Sequence, residues 1–234
     1  TKELLTFSYF GVAIVSAVMF PYEAYFYSSG GIEEEWGPKD LPNNRLTATV
    51  GFALGSLLAI SILTSSALLF GPVNVGPETP GTSALEAAIP FGRTGLLIAL
   101  LGMLIAIAGA AVETCMANAY SVAQFFGWEW GRHKKPWDAP RFTIAWVGFL
   151  VLALAIILTD VDVMTLVEYA IVFSIVVLPL TYLPLMLLAG DTKFMGKYVN
   201  GLLSKTLGWL FFVVVTAAAI AAVPLYVLTS GGQG

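Results

Sequence analysis

Glu23, Glu113 and Glu168 are carboxylates set inside stretches that are otherwise apolar. An ionised group at the centre of a bilayer costs about 2.5–3.5 kcal/mol on insertion scales, so such residues face protein or water and by default mark ion or substrate pathways. Glu23 is the most informative of the three. It stands in VMFPYEAYFYSSGG, Val18 to Gly31, just after Pro21. Proline lacks an N–H and clashes with the preceding turn, so it ends or kinks a helix. Unwinding at mid-span frees carbonyl and N–H groups, and broken helices of this kind build ion and substrate sites in membrane transporters. The chemistry would be coordination, with a charged oxygen from Glu23 and neutral oxygens from the carbonyls at Phe20 and Pro21. The plainer alternative is a proline kink with Glu23 hydrogen-bonded to a neighbouring helix.

Glu113 follows Gly109, Ala110 and Ala111. Small residues let helices approach closely, so Glu113 faces protein, either as a structural hydrogen bond or on an ion pathway. Glu168 lies about two turns into its segment and reads as a solvated group of an outer vestibule. Tyr22, Tyr25 and Tyr27 serve as interface anchors or as packing, and Tyr22 is too central for the interfacial belt where tyrosine concentrates. The run Glu33-Glu34-Glu35 reads as a solvated helix end, although three carboxylates also gather cations. His133 is the single histidine and lies in a basic loop, which leaves none for a proton relay in the membrane. Cys115 is the single cysteine; it excludes an internal disulfide and reads as a small packing residue.

These residues must be carried by membrane helices. Hydrophobic residues make up 58% of the chain and charged residues 11%, against about 25% charged in soluble domains. The apolar runs are continuous and long enough to span a bilayer, which takes about 20 helical residues. Lipid offers no partner for an open backbone group, so spans are helices or closed barrels, and continuous rather than alternating runs select helices. The expected spans are residues 4–29 (broken at 20–22), 46–70, 94–126, 142–159, 163–189 and 206–228. Asn43 and Asn44 cap the second. Ser83 to Ile89 forms a short helix with Ser83 as N-cap and Glu86 closing a capping box. A Pro/Gly loop, GPVNVGPETPGTS, precedes it, and Asp160-Val161-Asp162 makes a tight turn. The net charge of −4 carries no nucleic-acid signal, and there is no phosphate-binding glycine loop.

Lys39, Arg45, Arg132, Lys134, Lys135, Arg141, Lys193, Lys197 and Lys205 fall on one side of this topology, and only Lys2 and Arg93 on the other. Loops rich in Lys and Arg stay cytoplasmic, so both ends of the chain are expected outside, in a bacterial-type plasma membrane. An outside Thr1 with no signal sequence leads to the expectation of an upstream membrane portion of the same protein.

VMFPYEAYFYSS resembles the broken sixth helix of the NRAMP divalent-metal transporters, where Met-Pro-His precedes an Asn-Leu-Tyr/Phe-Leu-His-Ser run. LPLTYLPLMLLAGDTKFMGKYVN resembles the tenth helix and following loop of that family. Pro179 and Pro184, Asp191, Met195-Gly196 and Val199-Asn200 stand there in matching order and spacing. AGAAVETCMANAYSVAQFF falls where the eighth helix has a small, hydroxyl-rich run. The resemblance implies an all-α polytopic protein, holding the second repeat of a LeuT-like inverted-repeat fold as helices six to eleven. Its partners would be the bilayer, the missing N-terminal half and a transported divalent cation such as Mg²⁺ or Mn²⁺, with no bound cofactor and no enzymatic activity. The family's metal-binding methionine falls on Phe20, its two sixth-helix histidines on Tyr22 and Tyr27, the asparagine between them on Glu23, and its tenth-helix glutamine on Val177. Tyr22, Tyr27 and Val177 would then line the permeation path. Loss of a soft thioether and gain of a carboxylate move the site towards hard ions, as in the NRAMP-related magnesium transporters. Two other functions fit the same residues: coupled transport of organic solutes on this fold, and a non-transporting sensor or scaffold.

Overall fold

Pro21 and the residue before it shape the first feature of the fold. The computed structural model describes residues 2–18, 20–73, 80–159 and 161–231. Helix α1 (Lys2–Val18) stops short of the proline, Phe20 is extended at φ −95° and ψ 141°, and α2 (Pro21–Glu33) starts with Pro21 in its first turn. Proline disfavours helical backbone in the residue before it but is pre-organised for the first helical position, where no N–H is needed. One membrane-length stretch therefore becomes two helices in series.

α3 (Leu41–Phe70) is preceded by a 3₁₀ turn, Pro38–Asp40, in which the Gly37 N–H donates to the Asp40 carboxylate at 2.8 Å. Asn43 and Asn44 lie inside this helix and do not cap it. Prolines at 38 and 42 suit a helix start and move it upstream. α4 (Pro80–Ser83) is a single turn, and α5 (Leu85–Phe125) follows after Ala84, with no side-chain cap. The capping box from Ser83 to Glu86 is thus absent; the Glu86 carboxylate instead accepts a hydrogen bond from Ser65 on α3. Residues 74–79 of the Pro/Gly loop and Asp160 lie outside the described residues.

α5 begins nine residues before the expected Thr94 because Gly92, at φ 60° and ψ −149°, joins two helical pieces across a kink. Only glycine adopts that backbone without strain. The kink brings the Ala87 carbonyl oxygen against the place where a Cβ on Gly95 would stand. Gly95→Ala would meet that carbonyl and the Phe91 Cβ, neither of which can swing aside without moving backbone, and a loss of about 1–3 kcal/mol is expected, read as a lower melting temperature in detergent.

The remaining helices are α6 (Pro140–Ile157), α7 (Val163–Gly190), the single turn α8 (Thr192–Met195) and α9 (Leu202–Thr229). Asp162 caps α7, its carboxylate accepting from the N–H and hydroxyl of Thr165 at 3.0 and 2.6 Å. Asp191 does the same for α8 through the Lys193 N–H. Among the described residues six helical spans are long and apolar enough to cross a membrane. Their outward faces are rich in exposed Leu, Ile, Val and Phe, as lipid contact requires.

Two cores organise the spans. In one, α1, α7 and α9 meet around Ile175, Leu178, Val215, Ala218 and Ala222, with Val12 and Val15 of α1 against them. In the other, α2, α5 and α6 meet around Ala119, Tyr120, Ala123, Ala139 and Phe142, with Phe26 of α2 against them. The halves of the broken helix thus belong to different cores. α3 touches the rest mainly at its ends.

Candidate functional site

At the break, two helix termini face each other. The last four carbonyls of α1 have no i+4 donor within their helix, and the first N–H groups of α2 have no i−4 acceptor. The negative end of one dipole and the positive end of the other meet there. The Phe20 carbonyl accepts from the Glu23 N–H at 3.2 Å, which leaves it a second lone pair. The Pro21 carbonyl lies in the first turn of α2 and belongs to that helix's ladder. Carbonyl oxygens at the break thus come from the last turn of α1 and from Phe20, and the Pro21 carbonyl likewise keeps a second lone pair beyond its helical bond.

Glu23 is half-buried in the first turn of α2. Glu113 of α5 lies near enough to interact electrostatically with Glu23, Tyr22 and Tyr27, and the Tyr22 hydroxyl lies beside the Thr114 side chain. The Tyr22 ring also packs on Phe20, their centroids 5.9 Å apart. The fold thus gathers two carboxylates with Tyr22, Tyr27 and Thr114 next to the break. Glu168 is not among them. It stands one turn before Ile171, near Tyr9 and Tyr226, with its Oε2 2.6 Å from where a Cβ on Gly231 would be. Val177 is half-buried on α7.

From Glu23 a cleft of about 1000 Å³ opens between α2 and α3, lined among others by Tyr27, Ser28, Glu35, Asn44 and Thr47. Glu23 and Glu35 are twelve residues apart, roughly 18 Å of helix rise. The cleft carries a carboxylate near each end and hydroxyls between them.

In the acidic run at the end of α2, Glu34 and Glu35 are exposed as a solvated helix end should be, and Glu33 departs from that expectation. Glu33 accepts from the Tyr120 hydroxyl at 2.6 Å and from the His133 backbone N–H at 2.8 Å. Glu34 pairs with Arg132 and accepts from the Trp36 indole at 2.9 Å. Gln124 of α5 donates to the buried Ser29 hydroxyl at 2.7 Å. Only Glu35 of the three lines the cleft. The reason is supply and demand of hydrogen bonds: the Tyr120 ring is buried and its hydroxyl needs an acceptor, and the loop after α5 brings Arg132 beside it. In the same loop the hydrogen bond from Lys134 holds the Glu129 carboxyl below the usual carboxylate range.

The Glu33–Tyr120 tie was missed by the sequence reading. Its one local sign was a lone tyrosine in a small-residue run on α5, a pattern that places a ring in a core without naming what its hydroxyl meets.

The sequence model of the Nramp family, described as natural resistance-associated macrophage protein-like, matches residues 6–224. No curated protein and no solved structure matches the chain. With six membrane-length helical spans and a family match over nearly its whole length, the chain is an integral membrane protein that belongs to the Nramp family.

Proposed function

We propose that this protein carries a divalent metal cation across the membrane and binds it at the α1–α2 break, with harder ions such as Mg²⁺ preferred over Mn²⁺ and Fe²⁺. Family membership supports divalent-metal transport. The observation that carries the site is Glu23, a half-buried carboxylate in the first turn after a mid-span break, with the carbonyl end of α1 opposite it and Glu113 nearby. By the resemblance of this stretch to the family's broken helix, Phe20 stands where the soft methionine ligand would be, and oxygen donors suit hard cations. Among the described residues no cluster of three or more His, Cys, Asp or Glu surrounds the break. A sparse set of carboxylates suits Mg²⁺, which keeps several of its waters. In this reading the six spans correspond to helices six to eleven of the inverted-repeat fold, and the cleft between α2 and α3 is the path from the site to the basic loops.

The test is uptake of Mg²⁺, Mn²⁺ and Ca²⁺ into proteoliposomes holding the full-length protein. Saturable Mg²⁺ uptake exceeding that of Mn²⁺ is expected. Strong preference for Mn²⁺ would overturn the hard-ion assignment, and absence of uptake for all three would overturn transport. The volume of the cleft and its lining by Tyr27, Trp36 and Phe52 favour organic solutes as the second reading, which labelled amino acids in the same assay separate from the first.

The basic loops are assigned to the cytoplasm of a bacterial-type plasma membrane, and both chain ends to the outside. Single cysteines at Lys197 and Lys2, in a Cys115→Ser background, check this in intact cells. Only the cysteine at position 2 is expected to react with a membrane-impermeant maleimide.

A further inference from the structure

Ser174 of α7 is 7% exposed, and its hydroxyl has no hydrogen-bond partner among the described residues. The other buried serine and threonine hydroxyls among the described residues, those of Ser16, Ser29, Thr181 and Thr229, all have hydrogen-bond partners. Thr216, Thr229 and Ser121 donate to the carbonyl four residues back, the ordinary way a helix satisfies them. On α7 itself the Thr181 hydroxyl pairs with that of Tyr25 at 2.9 Å. A buried polar atom left over in a native structure calls for an explanation, of which an unoccupied ligand position is one.

The position of Ser174 supplies the explanation. Two hydrogen bonds set the register of α7 along the broken helix. Ser16 of α1 donates to the Ile171 carbonyl at 2.7 Å, and Tyr25 of α2 meets Thr181. Residues 16 to 25 therefore run beside residues 171 to 181. Ser174 lies about 4.5 Å along the axis from Ile171, which sets it level with the break that precedes Phe20. Its direction also follows. At about 100° per residue, Ser174 projects between the directions of Thr181, whose side chain meets α2, and Leu178, which packs in the core with Val12 and Val15 of α1. The face of α7 that bears Ser174 is thus the face turned to the broken helix. Pro179 adds a second oxygen at this level, because proline has no N–H to give to the Ile175 carbonyl four residues earlier.

We propose that Ser174 is a specificity-determining residue of the cation site, its hydroxyl oxygen serving as a neutral hard ligand from α7 opposite Glu23. The assignment rests on the proposed cation site at the break. It gives that site one oxygen from each of the two cores: Glu23 from the α2–α5–α6 group, Ser174 from the α1–α7–α9 group. A cation bound by both would link the two groups across the break.

The experiment compares Ser174→Ala, Ser174→Cys and Glu23→Gln in the full-length protein in proteoliposomes, with Mg²⁺ and Cd²⁺ as probes and melting temperature in detergent measured alongside. Ser174→Ala is expected to raise the KM for Mg²⁺ about 10-fold, the lower end of what supporting residues at metal sites contribute, with the melting temperature unchanged. Ser174→Cys replaces a hard oxygen by a soft sulfur and should move the preference from Mg²⁺ towards Cd²⁺. An unchanged KM in the alanine variant together with unchanged preference in the cysteine variant, while Glu23→Gln still stops uptake, overturns the role of Ser174 and leaves the site standing. Uptake untouched by Glu23→Gln removes the site, and the role of Ser174 with it.

Discussion

Glu23→Gln is expected to abolish saturable divalent-cation uptake. The amide keeps the size and shape of the side chain, so the helix start at Pro21 and the packing around Tyr22 should survive. What goes is the charge. The neutral oxygens at the break, from the last turn of α1 and from Phe20, carry only partial charges, and the dipole end of α2 that faces the break is positive. Glu23 offsets that positive end as well as attracting the ion, so its loss turns a favourable site for cations into an unfavourable one. Supporting residues around metal sites are worth 10–100-fold in affinity, and a charged ligand should cost at least about 100-fold. Glu23→Asp, which keeps the charge but shortens the reach, should fall between the two. Glu113→Gln should weaken uptake less, because Glu113 approaches from α5 rather than from the break itself. The measurement is initial Mg²⁺ uptake against concentration for all four proteins. Wild-type KM and rate in Glu23→Gln would sink the assignment.

The largest effect on stability is expected at the other end of α2. Tyr120 is 1% exposed and its hydroxyl donates to Glu33 at 2.6 Å, while the second Glu33 oxygen takes the His133 N–H at 2.8 Å. Glu33→Ala strands the buried Tyr120 hydroxyl, whereas the His133 N–H, in an exposed loop, can turn to water. Leaving one buried group unsatisfied costs about 1–3 kcal/mol, and more where the lost partner is charged. Glu33→Gln keeps one acceptor and presents an NH₂ to the other donor, so it should lie between alanine and wild type. Tyr120→Phe removes donor and demand together and should cost least, about 0.5–1.5 kcal/mol. Gly131→Ala approaches the same contact from the loop. Gly131 sits at φ 145°, and a Cβ there would stand 3.0 Å from Glu33 Oε1. Melting temperatures in detergent should rank Tyr120→Phe above Glu33→Gln above Glu33→Ala, and a double-mutant cycle between Tyr120 and Glu33 should show strong coupling. Equal temperatures across the series would make the acidic run the solvated end that its composition alone indicates.

Some of this could be read without coordinates. The helical, polytopic character follows from apolar runs of spanning length, because lipid leaves the backbone no other solution. The break followed from Pro21, whose missing N–H and bulk act on its immediate neighbours. Other local readings went astray where a side chain had a distant partner. Glu86 matches the capping pattern with Ser83, yet it is bonded to Ser65 on α3. Glu33 looks solvated in a charged run, yet it is held by Tyr120 and by the loop after α5. The kink at Gly92 was invisible because a single glycine in an apolar run carries no mark of its φ.

The resemblance in the sequence pointed to Val177 on α7, but the buried hydroxyl left without a partner among the described residues is that of Ser174, three positions before it on the same helix. No rule of composition or spacing selects one serine from an apolar run. By itself the sequence determined what its neighbours along the chain could enforce: the presence of membrane-length spans, the break, and membership of the Nramp family. Only the tertiary structure decided which charges share a site. It set Glu113 near Glu23 and left Glu168 by Tyr9 and Tyr226. It joined Tyr120 to Glu33 across 87 residues and Ser16 to Ile171 across 155. The physical reason is that periodicity fixes the direction of a side chain only relative to its own helix. The register and rotation of one helix against another come from how the two cores pack, and that is a sum over contacts far apart in the chain.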